Sequence, residues 1–127
     1  MEATEISIVV PAYNEEALIQ STLEGLRSYL LTRSELFEIV VVDDGSQDRT
    51  VALIEEWRKS NPALLKLVSN PGNKGKGFSV RRGVQESCGR FIVFMDADLP
   101  YELGAIDDFL KTLQNGHEQL EKASHPG

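Results

Sequence analysis

Short apolar runs rich in Val, Ile and Phe recur at residues 6–10, 37–43, 65–69 and 90–95, and the segments between them carry hydrophobic side chains at helical spacing. A strand buried on both faces reads as a near-continuous apolar run, and two parallel strands need a crossover long enough to hold a helix. The pattern therefore predicts an α/β chain: repeated βα units around a mostly parallel sheet of about four strands flanked by helices. Leu18, Thr22, Leu26 and Tyr29 mark the buried stripe of a first helix; Leu53, Ile54 and Trp57 mark a second, with Asp48 as its cap. Val80, Val84 and Cys88 mark a third. A fourth opens at Pro100, presents Leu103, Ile106, Phe109, Leu110 and Leu113, and stops at Gly116.

With 127 residues and 41% hydrophobic content, the chain is expected to form one core over residues 1–116, followed by a polar tail, 117–127, that holds both histidines. The net charge of −7 argues against a general nucleic-acid binder, since neutralising phosphates needs surplus Lys and Arg. Cys88 is the single cysteine, so no internal disulfide staples the fold, and its place on the inner helix face predicts a buried structural thiol. A reducing, cytoplasmic setting follows as the expectation. The amino terminus is acidic and the apolar run after it is short, which fits neither a secretory signal nor a membrane span.

Ligands of a parallel α/β sheet bind beyond the carboxyl ends of its strands. Three such ends carry polar or acidic groups: Pro11-Ala12-Tyr13-Asn14-Glu15, Asp43-Asp44-Gly45-Ser46 and Asp96-Ala97-Asp98. Two carboxylates spaced as in the last suit a hard divalent cation, Mg²⁺ or Mn²⁺, with coordination positions left for phosphate oxygens. Asp98 is the first choice of ligand; the alternative is that Asp96 closes the strand while Asp98 begins a turn before Pro100. Asp43 and Asp44 are adjacent like charges, which need a cation, a ligand or hydrogen bonds to compensate them. Asp43, closing its apolar run, is the better ligand candidate of the two. Between Asn70 and Gly77 a glycine-rich loop carries Lys74 and Lys76 and leads toward Arg81 and Arg82; it lacks the spacing and the Ser or Thr of a P-loop. Trp57 is assigned to the core.

Taken in order, Val10-Pro11-Ala12-Tyr13-Asn14-Glu15-Glu16, the run from Val41 to Thr50, Asn73-Lys74-Gly75-Lys76-Gly77 and Met95-Asp96-Ala97-Asp98 closely resemble the motifs of family-2 glycosyltransferases of the GT-A fold. The likeness spans about residues 6–116. The third motif looks most like the branch that charges polyprenyl phosphates, the dolichyl-phosphate glucosyl- and mannosyltransferases and their bacterial relatives. The resemblance implies a Rossmann-like nucleotide-binding half in which Pro11, Tyr13 and Glu15 frame the base and ribose of a nucleotide-sugar donor. Asp43 would bond the base, with Asp44 in the same donor-binding set, and Lys76 would lie near the nucleotide. Asp96 would contact ribose or metal, and Asp98 would hold Mg²⁺ or Mn²⁺ against the donor diphosphate, making these two the catalytic pair. Sugar transfer with inversion from UDP-glucose, or alternatively GDP-mannose, to a polyprenyl phosphate is the activity implied.

Similar enzymes continue well past the Asp-x-Asp motif, so the expectation is a donor half alone, with residues 90–94 as an unpaired apolar edge prone to self-association. A lipid-linked acceptor would bring the full enzyme to the cytoplasmic membrane face. Two other readings compete. One is a non-catalytic nucleotide-sugar and metal-binding fragment that needs a partner chain or further residues. The other is a receiver-type signalling domain, which would need an acid pair after the first strand and an accepting Asp after the third. The first strand ends instead in Pro11-Ala12-Tyr13 and the third in Ser69-Asn70.

Overall fold

Each apolar run forms a strand: β1 (Ile6–Ala12), β2 (Phe37–Asp43), β3 (Leu65–Ser69) and β4 (Phe91–Phe94), joined through α1 (Ile19–Leu30), α2 (Thr50–Lys59) and α3 (Lys76–Glu86). The computed structural model describes residues 4–32 and 36–97. The expected fourth helix, the polar tail and Asp98 lie outside the described residues.

All strand pairs are parallel, in the order β3-β2-β1-β4. The register aligns Ile8 with Ile39 on one side and Val93 on the other, and Ile39 with Leu65, so that one row of apolar side chains crosses the whole sheet. Because side chains alternate across a strand, the two faces build separate cores. Ile6, Ile8, Val10, Ala12, Ile39 and Val41 pack against Ile19, Leu23, Leu26 and Leu30 of α1 and Ile54 and Trp57 of α2. On the other face Val9, Val40, Val42 and Val68 form a smaller cluster. Full burial of an aliphatic side chain stabilises by about 1.5–3 kcal/mol, so β1 and β2, buried on both faces, anchor the domain.

The stripe of α1 is shifted from its predicted phase. Leu18 precedes the helix and is exposed, while Ile19, Thr22, Leu23, Leu26 and Leu30 are buried. Ile19, Leu23, Leu26 and Leu30 recur at i, i+4, i+7 and i+11, a closer fit to a core-facing row than the predicted set. The prediction for α3 needs a larger correction. Its inner face is Ser79 and Gly83, Val84 is exposed, and Cys88 is an exposed free thiol because the helix ends at Glu86 and Ser87 is extended. Small residues, not apolar ones, face the sheet here because α3 lies very close to it. A Cβ added at Gly83 would stand 2.3 Å from Val9 Cγ1 and 3.2 Å from Val42 Cγ2.

At β4, Phe91 and Val93 pack onto the larger core, while Ile92 and Phe94 face the other side and are exposed. Among the described residues β4 pairs only with β1. No described helix is long and apolar enough to cross a membrane.

Strand order also decides between two readings. In the 2-1-3 order of receiver-type folds the third strand would pair with β1; here β3 pairs with β2 and β4 takes the place beside β1. The chain therefore reverses its direction of travel between β1 and β4, and the receiver reading is excluded.

Replacing Gly83 by Ala is expected to destabilise the protein by about 1–3 kcal/mol, the usual range for overpacking a filled core. The exposed Val84→Ala should stay within about 0.5 kcal/mol. Urea unfolding checks both: Gly83→Ala should lower the midpoint without changing the slope.

Candidate functional site

A cleft of about 520 Å³ opens where the strand order reverses, the place where ligands bind in open α/β sheets. The end of β1 supplies one wall through Pro11, Ala12 and Tyr13, with Glu15 beyond. Asp44, Asn73, Gly75 and Lys76 supply another, with Ser79 below them, and Asp96 and Ala97 supply the third.

The loop after β1 is fixed by the loop after β2. Asn14 takes a left-handed backbone, φ 51°, a conformation Asn tolerates better than most residues. In that position its Oδ1 accepts the Gln47 N–H at 2.9 Å and its own N–H donates to Ser46 Oγ at 2.9 Å. The Glu15 N–H donates to Thr50 Oγ1 at 2.8 Å, and the N–H of Glu16 to Asp48 Oδ2 at 3.3 Å. Asp48 meanwhile accepts the N–H and hydroxyl of Thr50 at 2.9 and 2.5 Å, capping α2 from just outside its first turn as expected.

The two adjacent acids have different tasks. Asp43 is buried and folds back on its own turn, with Oδ2 accepting the N–H groups of Gly45 and Ser46 at 3.2 and 3.1 Å and Oδ1 accepting the Ser46 hydroxyl at 2.5 Å. Asp44, also buried, turns toward the glycine-rich loop. Its Oδ1 accepts from Asn70 Nδ2 at 2.8 Å and the Lys74 N–H at 2.7 Å, and its Oδ2 accepts the Gly75 N–H at 2.9 Å. Burial alone would raise the Asp44 pKa, but the Lys74 N–H, the Asn70 amide, the Gly75 N–H and the Ser79 hydroxyl together outweigh it and hold the carboxyl below its ordinary value. Hydrogen bonds within the fold thus compensate the adjacent charges. Of this pair it is Asp44 that lines the cleft.

Further contacts set the remaining walls. Asn70 Nδ2 also reaches Ser79 Oγ at 2.9 Å, and that hydroxyl donates to the Gly75 carbonyl at 3.0 Å, closing a buried polar ring at the start of α3. Gly45, at φ 80°, lets the two loops touch backbone to backbone; a Cβ there would sit 2.6 Å from the Gly72 carbonyl carbon. On the opposite side the Met95 N–H donates to the Val9 carbonyl at 3.0 Å, and Thr22 Oγ1 donates to the Ala97 carbonyl at 2.6 Å, fixing Asp96 between them. Lys76 Nζ and Asp96 Oδ1 meet across the cleft at 2.5 Å.

Pro11, Tyr13, Glu15, Asp44, Lys76 and Asp96 are therefore brought to one cleft, and Asp43 supports it from the turn behind. Asp98 lies outside the described residues. Sequence reasoning placed Asn14, Thr22, Ser46 and Asn70 in the chain but missed their roles at the site, and it missed Ser79 altogether. Ser79 carried one usable signal, a small polar residue on the buried side of a helix. Among the described residues no three His, Cys, Asp or Glu side chains converge as a self-sufficient metal site. A partly exposed carboxylate at Asp96 fits a hard cation whose coordination is completed by phosphate oxygens.

This sheet order, with its switch-point cleft and a glycine turn leading into a helix, is that of a Rossmann-like nucleotide-binding domain. The sequence profile of glycosyl transferase family 2 matches residues 7–125, and the chain belongs to that family. It is 38% identical to a dolichyl-phosphate beta-glucosyltransferase of Trichomonas vaginalis, over 94% of this chain and 37% of that protein. A mannosyltransferase from Pyrobaculum calidifontis in complex with GDP-Man and Mn²⁺ superposes with a TM-score of 0.67 at 28% identity, covering 77% of this chain and 28% of the other. Glucosyl-3-phosphoglycerate synthase from Mycobacterium tuberculosis, in complex with Mn²⁺, UDP-glucose and glycerol 3-phosphate, superposes at 0.60 with 32% identity, covering 75% and 34%. The fold is thus GT-A. The chain spans about a third of the length of the curated relatives it matches.

Asp44→Asn is expected to destabilise by about 1–3 kcal/mol, because it sets an amide against buried N–H groups that a carboxylate had satisfied. The pH dependence carries the sign. A depressed folded-state pKa means that the Asp44 contribution is complete above the ordinary carboxylate range and is lost as pH falls below about 4 through the lowered value. Urea midpoints measured from pH 7 to pH 2 should fall less steeply in Asp44→Asn than in the parent protein.

Proposed function

We propose that this chain is the donor-binding part, residues 1–116, of an inverting glycosyltransferase that moves glucose from UDP-glucose to a polyprenyl phosphate. The observation that carries the reading is the meeting of Lys76 and Asp96 across the switch-point cleft, with the backbone that leads into the lysine held by Asp44. Pro11, Tyr13 and Glu15 form the side of the cleft suited to base and ribose. Asp44 lies on the adjoining wall, and Asp43 supports the cleft through the turn behind it. Lys76 lies where a diphosphate would need a counter-charge.

Asp96 and Asp98 would hold Mg²⁺ or Mn²⁺, which supplies charge neutralisation for the departing nucleoside diphosphate. A polyprenyl phosphate oxygen is already anionic, so attack at the sugar carbon opposite the leaving group requires positioning and not a strong protein base. Support for donor and metal comes from the neighbours bound to GDP-Man with Mn²⁺ and to UDP-glucose with Mn²⁺. Support for glucose and a lipid phosphate comes from the dolichyl-phosphate beta-glucosyltransferases among the relatives; GDP-mannose is the alternative donor. Such an acceptor would place the reaction at the cytoplasmic membrane face. The coverage of about a third of those relatives favours a second reading, a donor- and metal-binding unit that turns over only with further residues or a partner.

Calorimetric titration of UDP and GDP, with and without Mn²⁺, tests the donor site. UDP is expected to bind in a Mn²⁺-dependent manner, more tightly than GDP, and Asp98→Ala or Asp96→Asn should weaken it at least about tenfold, a loss of about 1.4 kcal/mol. A folded chain that binds neither nucleotide with Mn²⁺ would sink the reading. Self-association through the edge of β4 that carries no partner strand among the described residues belongs to the same proposal. Sedimentation should show a concentration-dependent dimer that Phe94→Lys disperses, and a monomer at every concentration would refute it.

A further inference from the structure

The geometry points to a second role for Lys76: it is a built-in counter-cation that occupies Asp96 until metal and diphosphate arrive together, and so couples their binding. This inference rests on the donor-site reading above.

Both ends of the pair stand on fixed backbone. Lys76 begins α3 directly after Gly75, whose N–H is bound by Asp44 at 2.9 Å. Asp96 lies between the Met95 N–H, on the Val9 carbonyl at 3.0 Å, and the Ala97 carbonyl, on Thr22 Oγ1 at 2.6 Å. The lysine side chain that closes the gap is itself 58% exposed. It is therefore a movable charge between two immovable anchors. Lysine suits this task because its ammonium is a compact charge on a flexible stem, whereas a guanidinium would favour a planar, two-point grip on the carboxylate.

A divalent cation takes a carboxylate oxygen at about 2.0–2.2 Å. With Nζ 2.5 Å from Asp96 Oδ1, an arriving cation and the ammonium would crowd one carboxylate and repel each other. Metal alone must therefore break the ion pair and leave Lys76 without its partner. Metal arriving with a diphosphate gives the displaced ammonium new anionic oxygens, so the loss is offset. Among the described residues that line the cleft, Lys76 is the only cation, so no neighbour there can take over this role. Each ligand should then raise the affinity of the other by the same factor.

The test titrates Mn²⁺ alone, following the free ion by its electron paramagnetic resonance signal, into the parent chain and into Lys76→Met and Lys76→Gln. The titration is repeated with saturating UDP or GDP. Circular dichroism verifies that each variant is folded. In the parent chain, nucleotide should tighten Mn²⁺ binding by a factor in the range of about 5–150 typical of coupled sites. Both variants should bind Mn²⁺ alone more tightly than the parent, bind nucleotide with Mn²⁺ more weakly, and show a smaller coupling factor than the parent, the remainder coming from direct contact between metal and diphosphate. If the variants bind Mn²⁺ alone no better than a parent chain that still binds Mn²⁺ with nucleotide, the counter-cation role is overturned while the donor site stands. If the folded parent chain binds neither nucleotide with Mn²⁺, the donor reading falls and this inference falls with it.

Discussion

Asp44 holds the candidate site together. Its carboxylate, carried just past the end of β2, bonds the Asn70 side chain after β3 and the N–H groups that lead into α3. Strand pairing alone would bring β2 and β3 side by side, but it would leave the glycine-rich loop free to choose among many conformations. Three hydrogen bonds to an ionised acceptor, each stronger than a neutral one, select a single conformation. The position of Lys76 follows from it. Gly45 makes the arrangement sterically possible, since any side chain there would meet the Gly72 backbone.

The same loop accounts for the tight packing of α3. The Ser79 hydroxyl bonds the Gly75 carbonyl and receives Asn70, so the first turn of the helix is fastened to the polar ring. One turn further along, Gly83 lies against Val9 and Val42 of the smaller core. Polar satisfaction at one end of the helix and close apolar contact in its middle thus serve one purpose. The helix cannot shift along the sheet without disturbing both.

What was legible in the sequence was whatever depends on period. The continuous apolar runs of β1 and β2 are buried on both faces, as parallel strands require, and their ends fell where the polar residues began. Asp96 was legible as an acid at a strand end and Lys76 as a basic residue of the glycine-rich loop, because the ends of parallel strands converge, but their ion pair is a contact between distant segments that no local pattern encodes. Val84 was misplaced for a physical reason: apolar spacing marks a helix that packs at ordinary distance, whereas α3 approaches so closely that Ser79 and Gly83 are the residues buried beneath it, and Cys88 was misplaced because the helix ends at Glu86, before reaching it. Asn14, Ser46 and Asn70 stood within the polar strand ends, but their structural roles could not be read. Their importance arises from contacts between loops, such as the bond from Gln47 to Asn14, that no local pattern encodes.

An acidic chain that gathers three aspartates at one sheet edge faces a repulsion problem, and the structure solves it by giving each a different partner. Asp43 accepts hydrogen bonds from the turn that follows it, and Asp44 from the loop that approaches it. Both sets of partners are backbone or buried polar groups, which cannot leave without unfolding the loops. Asp96 is matched instead by a solvent-exposed ammonium. Exposed ion pairs contribute little to stability, about 0–1 kcal/mol, so this contact can be given up at small cost to the fold. The edge is thus divided between two carboxylates fixed by the architecture and one held in an exchangeable pair, and that exchangeable pair spans the cleft.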